Sequence, residues 1–297
     1  MVRHMQLTVT WSRGVGCLTK VLLACAPFLL AASDAPYLVT YTHQMEEPGN
    51  LEIAANQVTA RPDGGNRFLN QLTELEYGAR AWWTTELYLS GQGTWHDSVV
   101  FAGFRWENRI RPLLGEHWIN PVLYVEFANT NGADKSLKEV VGHDGFTDQL
   151  VPNGEATREH KHELETKLIL SSNFRGWNIA ENIIAEKNLN NNPWEFGYAF
   201  GVSRPLALLA SPNKCRLCGE NFSAGVEMYG GLGTRYDFGL RETSHYLAPA
   251  IAWRIPGGPS LKFSPSFGLN RNSYPVFFRF TVAYEVNQFR RLFHGKD

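Results

Sequence analysis

Beyond residue 33 the chain alternates apolar and polar side chains with a period of two, and this rhythm restricts the fold more than any other feature. Trp194, Phe196, Tyr198, Phe200 and Val202 share one side, opposite Glu195, Gly197, Ala199, Gly201 and Ser203. The same pattern sets Val276, Phe278, Phe280, Val282, Tyr284 and Val286 against Phe277, Arg279, Thr281, Ala283 and Glu285. Residues 98–111 put Val100, Ala102, Phe104, Trp106 and Ile110 on one side and Arg105, Glu107, Arg109 and Arg111 on the other. Strands are expected near 51–60, 68–77, 82–91, 98–110, 118–129, 158–172, 177–189, 193–203, 221–232, 243–255, 259–269 and 274–286. Segment 36–43 is a further candidate, and blurred alternation in 177–189 suggests a bulge there.

A soluble sandwich hides its apolar side, and a membrane barrel shows it to lipid. The polar side decides between them. It mixes Gly, Ala and Ser with isolated charges of both signs, which suits a narrow lumen better than a solvent-washed sheet. The expected strands also match the ~9–11 residues of a tilted membrane crossing better than the ~5–6 of soluble sheets. Tyr77, Trp82, Trp83, Trp118, Trp177, Trp194 and Trp253 near segment ends would form the interfacial girdles. The expected fold is all-β: an antiparallel transmembrane up-and-down barrel of about 12 strands, within a range of about 10–14.

Residues 1–33 read as a signal peptide, with Arg3, Arg13 and Lys20 ahead of a short apolar run from Val21 to Ala32. Leu22-Leu23-Ala24-Cys25 is similar to a lipoprotein cleavage box, but it lies inside the apolar run, so lipidation of Cys25 is the minor reading. With the leader removed, Cys215 and Cys218 remain, as a loop disulfide or a redox-labile pair. Residues 34–50 are expected as a periplasmic lead-in or plug, 51–289 as the barrel and 290–297 as a periplasmic tail. Single-chain bacterial barrels keep both termini on the periplasmic side. That places the connections 130–157, 190–192 and 233–242 outside the cell and the turns 173–176 and 256–258 inside.

The closing strand, Arg279-Phe280-Thr281-Val282-Ala283-Tyr284-Glu285-Val286, is similar to the assembly signal of bacterial outer-membrane β-barrel proteins. It differs in having Thr281 where Gly is usual and in continuing to Asp297. The stretch from Glu76 through Trp82-Trp83 to Leu87 resembles a hairpin recurrent in uncharacterised outer-membrane transporters of porin-like type, including some associated with phenol degradation. The resemblance implies an outer-membrane location in a Gram-negative cell. The implied partners are membrane lipid, lipopolysaccharide, the barrel-assembly machinery and a small solute.

In such a barrel Glu74, Glu76, Glu86, Glu107, Glu126, Glu163, Glu165, Glu227 and Glu285 would line the lumen with Arg105, Arg109, Arg111, Lys167, Arg254, Lys262 and Arg279. The run Arg105-x-Glu107-x-Arg109-x-Arg111 needs opposing acids on neighbouring strands and is the candidate constriction. These charges fit a pore that selects by sign and size, and equally an ion-pair network that fills a closed interior.

Two other classes stay open. A lipid-modifying enzyme would need a nucleophile and base, but Ser244 and His245 point to opposite faces. His160 and His162 share a face with no evident third ligand, and no cofactor or metal is expected. An adhesion or structural barrel would work through loop 130–157, with Asp134, Asp144, Asp148 and a short helix at 133–141. A formal charge of −1 removes the electrostatic basis for binding nucleic acid.

Overall fold

Period-two segments with one apolar face hide their edges by closing on themselves, and this chain does so in twelve strands. The computed structural model describes residues 35–138, 140–143, 150–190, 192–209, 211 and 215–292. The expected leader, with Cys25, lies outside the described residues, as do Asp144, Asp148 and the tail beyond 292.

The strands are β1 (Leu51–Ala60), β2 (Phe68–Arg80), β3 (Trp83–Thr94), β4 (Val99–Ile110), β5 (Asn120–Asn131) and β6 (His160–Phe174). They continue as β7 (Trp177–Asn188), β8 (Trp194–Pro205), β9 (Phe222–Thr234), β10 (His245–Arg254), β11 (Ser260–Gly268) and β12 (Val276–Val286). Each pairs antiparallel with its sequence neighbours, and β1 closes on β12. Arg175 and Gly176, both at positive φ, make the two-residue turn between β6 and β7, a geometry whose twist matches that of the strands. A single-turn helix, α1 (Asn153–Ala156), lies in the β5–β6 connection.

The wall is apolar outside. Phe101, Trp106, Leu123, Ile183, Phe200, Ile251, Phe267 and Phe278 are all exposed. Such a continuous belt belongs in hydrocarbon, not water. Trp83, Trp118, Phe174, Trp177 and Trp253 stand at strand ends on one rim, the one where β1 begins and β12 ends.

Three local expectations are corrected. In β4 the register with β3 shifts between Ser90 and Gly91, so Gly103 pairs with Ser90 while Phe101 pairs with Gly91. Ala102 is the extra residue. This bulge turns Ala102 inward, away from the Phe104 and Trp106 face. Gly103 sits at φ 132°, where a Cβ would stand 2.3 Å from the Asn129 carbonyl oxygen. Segment 177–189 has no bulge: β7 pairs regularly with β6, and its pattern blurs because Glu181 is exposed and Ile184 buried. The described residues of 133–141 form no helix.

Two irregular segments occupy the lumen. Residues 35–50 contain no strand, contrary to the candidate at 36–43, and bury Tyr37, Val39, Thr40 and His43 among inward-facing wall residues. From the other mouth the start of the β5–β6 connection folds inward, burying Ala133, Lys135, Ser136, Val140 and Val141. Small lumen residues on β8 and β9 make room. A Cβ on Gly201 would stand 2.7 Å from the Tyr37 ring, and one on Gly197 would stand 2.5 Å from the Val140 oxygen.

Candidate functional site

The lumen wall carries a row of glutamates, of which sequence reasoning listed Glu76, Glu86, Glu107, Glu126, Glu165 and Glu285 singly as lumen residues and missed Glu52, Glu186 and Glu195. Glu285 on β12 pairs with Glu52 on β1, Glu52 with Glu76 on β2, and Glu76 with Glu86 on β3. The row continues through Glu107, Glu126, Glu165 and Glu186 to Glu195 on β8. Every member is the direct cross-strand neighbour of the next, an arrangement that repels unless cations intervene.

Cations intervene along β2 to β6. Arg109 pairs with Glu76 and Glu86, and its Nε lies 3.3 Å from Glu107. Lys138, supplied by the inward connection, bonds Glu107 at 3.0 Å and Glu126 at 2.6 Å. Arg105 contacts Glu126 at 3.3 Å and Asp134 at 2.7 Å, and Lys167 bonds Glu165 at 2.9 Å. Tyrosine rings complete the cluster: Lys138 lies 3.8 Å from the Tyr88 centroid and Lys167 lies 4.1 Å from that of Tyr124. Desolvated charges of this kind are tolerable only when paired in this way.

Other charges hold the two inward segments. Glu227 accepts the backbone N–H groups of Leu38, Val39 and Thr40 at 2.7–2.9 Å. Asn182 brackets Tyr41, accepting its N–H at 2.7 Å and donating to its carbonyl at 2.9 Å. His43 meets Ser171 through Nδ1 and Glu116 through Nε2, the latter at 3.0 Å. Burial pushes the His43 imidazole below its ordinary pKa, against a weaker upward pull from Glu116. Ser171 is 3% exposed, and its hydroxyl also accepts the His43 backbone N–H. The trio thus fastens the segment to β6. On the other segment, Arg279 donates to the carbonyls of Ser136 and Leu137. Burial would raise the Asp134 carboxyl, but the Arg105 guanidinium overrides it and holds the group below its ordinary value.

A cavity of about 250 Å³ remains between residues 35–46 and the wall formed by β1, β2, β3, β11 and β12. Glu52, Glu74, Glu76 and Glu86 line one side, with Lys262 and Arg279 on the other. Of the remaining expected lumen residues, Glu163 accepts from Asn188 at 3.3 Å, Glu285 accepts from Asn50 at 2.5 Å, and Arg254 is exposed at the end of β10. Arg111 is a correction. It lies past the end of β4, and its guanidinium binds the Leu113 and Gly115 carbonyls of the β4–β5 turn. Cys215 and Cys218 form a disulfide in the β8–β9 connection.

Sequence reasoning missed Tyr41, Asn182, Ser171 and Lys138, and placed Asp134 in the outer connection 130–157. Irregular segments carry no periodicity from which a direction could be read.

The COG4313 outer membrane channel from Pseudomonas putida F1 is similar at TM-score 0.51 and 10% identity, over 82% of this chain and 97% of that one. The chain folds as an outer-membrane β-barrel. The KdgM porin, solved with disordered oligogalacturonate, is similar at TM-score 0.45 and 4% identity over 80% of this chain and 98% of its own. The NanC porin is similar at TM-score 0.42 and 8% identity, over 78% and 97% of the respective chains. No protein-family model matches the chain. No curated protein matches it either.

Proposed function

We propose that the barrel is a narrow porin-like channel for small solutes, with residues 35–50 and the start of the β5–β6 connection as plugs that set its bore. The glutamate row from Glu285 round to Glu195 carries this reading. A wall that only had to pack would not set like charges side by side across successive strands, whereas an ion path uses such rings to favour one sign of charge. The cavity along β1, β2, β11 and β12 is the part of the bore that the plugs leave open. The apolar belt contacts outer-membrane lipid and lipopolysaccharide, and β12 is the strand the assembly machinery would recognise.

Reversal potentials in a KCl gradient across planar bilayers test this proposal. The channel favours K⁺ over Cl⁻, and a Glu74→Gln, Glu76→Gln double variant loses part of that preference. Anion preference in the unaltered protein, or selectivity untouched by the double variant, contradicts it.

A further inference from the structure

Two opposite charges face the same cavity, each without an ion pair among the described residues. Lys262 has no ion pair or hydrogen bond among the described residues, although its inward position on β11 lines the cavity. Glu74 on β2 lines it too, accepts only from the Asn56 amide at 2.5 Å, and pairs with no cation among the described residues. The two do not meet. Between them a relay crosses β12 and β1, in which the Thr281 hydroxyl donates to Asn56 at 2.6 Å and Asn56 donates to Glu74.

The Lys262 end holds further unmet donors. Thr40 and Arg279 each expose only 5% of their surface and line the cavity. Neither the Thr40 hydroxyl nor the Arg279 Nε has a hydrogen-bond partner. Buried donors left unpaired cost free energy, so donor capacity at this end of the cavity exceeds what the chain itself satisfies. The Glu74 end has the opposite character, with carboxylate oxygens of Glu52, Glu74 and Glu76 within 4.8 Å of one another.

From this we infer that the cavity is a binding subsite for an amphoteric solute, its carboxylate at Lys262, Arg279 and Thr40 and its ammonium at Glu74. The inference rests on the channel reading and adds the solute class to it. From β11 to β2 is three strand spacings of ~4.8 Å, about 14 Å along the wall. The side chains converge on the axis and shorten that span, and the Thr281–Asn56 relay still lies between the two ends. The fitting solute is a short peptide or an ω-amino acid, with its two charges several bonds apart.

Calorimetric titration of the full mature chain in detergent, with 6-aminohexanoate, hexanoate, hexylamine and glycine as probes, tests the subsite. The aminohexanoate binds at least about tenfold tighter than the other three. Lys262→Met reduces it to the level of hexylamine, Glu74→Gln reduces it to that of hexanoate, and Lys262→Arg retains the preference. Equal binding of all probes, binding of none, or a preference unmoved by Lys262→Met and Glu74→Gln overturns the subsite. KCl conductance of the same preparation separates the two readings. Conductance without probe discrimination removes the subsite and leaves the channel, and discrimination without conductance leaves a binding site in a barrel that is not a channel.

Discussion

The Glu227 carboxylate lies 2.7 Å from the backbone nitrogen of Thr40 and also takes the amides of Leu38 and Val39. One wall residue thereby fixes three successive residues of a segment that has no strand of its own. Hydrogen bonds to a charged group contribute about 1.5–3 kcal/mol each. Glu227→Gln keeps an acceptor but turns an amide donor toward backbone donors, so part of that attachment is lost. The expected outcome is faster chymotrypsin cleavage at Tyr37 and Tyr41 in detergent, with the heat-modifiable migration of the barrel unchanged. Cleavage at the unaltered rate contradicts the anchoring role.

Asp134 ties the outer plug to Arg105 at 2.7 Å and is held below its ordinary pKa. A depressed carboxyl gives its full contribution above the unfolded value of ~3.9 and loses it as pH falls through the folded value. The plug stays docked at pH 5 and loosens below about pH 4. Thiol labelling of a Ser136→Cys variant across that range reads the release, and adding Asp134→Asn reproduces it at neutral pH.

His43 responds at milder pH. Its imidazole is held below the ordinary value, so its neutral form is the one that fits against Ser171 and Glu116. That contribution is complete above the unfolded value of ~6.5 and is lost as pH falls through the folded value. The inner plug therefore loosens before the outer one. Chymotrypsin cleavage within residues 35–50 should begin to rise as the pH falls below ~6.5, and Ser171→Ala should raise it at pH 7 as well.

Arg109 neutralises Glu76, Glu86 and Glu107 at once. Arg109→Ala leaves these carboxylates buried and opposed, and breaking such a pair costs about 3–5 kcal/mol. The expected result is a lower temperature of loss of the folded electrophoretic band. An unshifted temperature would mean that water already screens the cluster.

Most of the wall was legible in the sequence, because period two states which residues share a face. Arg105, Glu107 and Arg109 were placed on one face in this way, and charge called for opposing acids on neighbouring strands, which Glu76, Glu86 and Glu126 supply. The continuous glutamate row was not legible, since strand register depends on turn lengths and bulges rather than on alternation. Gly103 shows the limit within one strand, where a single extra residue sends Ala102 to the other face. Arg111 kept the period but fell beyond the end of β4, where alternation no longer describes direction. Asp134, Lys138 and Tyr41 enter the site from segments whose course is set by the lumen surface and by no local pattern.

Single-channel conductance in planar bilayers, compared between residues 34–297 and the same chain without residues 35–50, tests the central claim most directly. A small, cation-favouring conductance that rises several-fold on removal of the segment is the predicted result. Two silent membranes, with both proteins correctly folded and inserted, would contradict it.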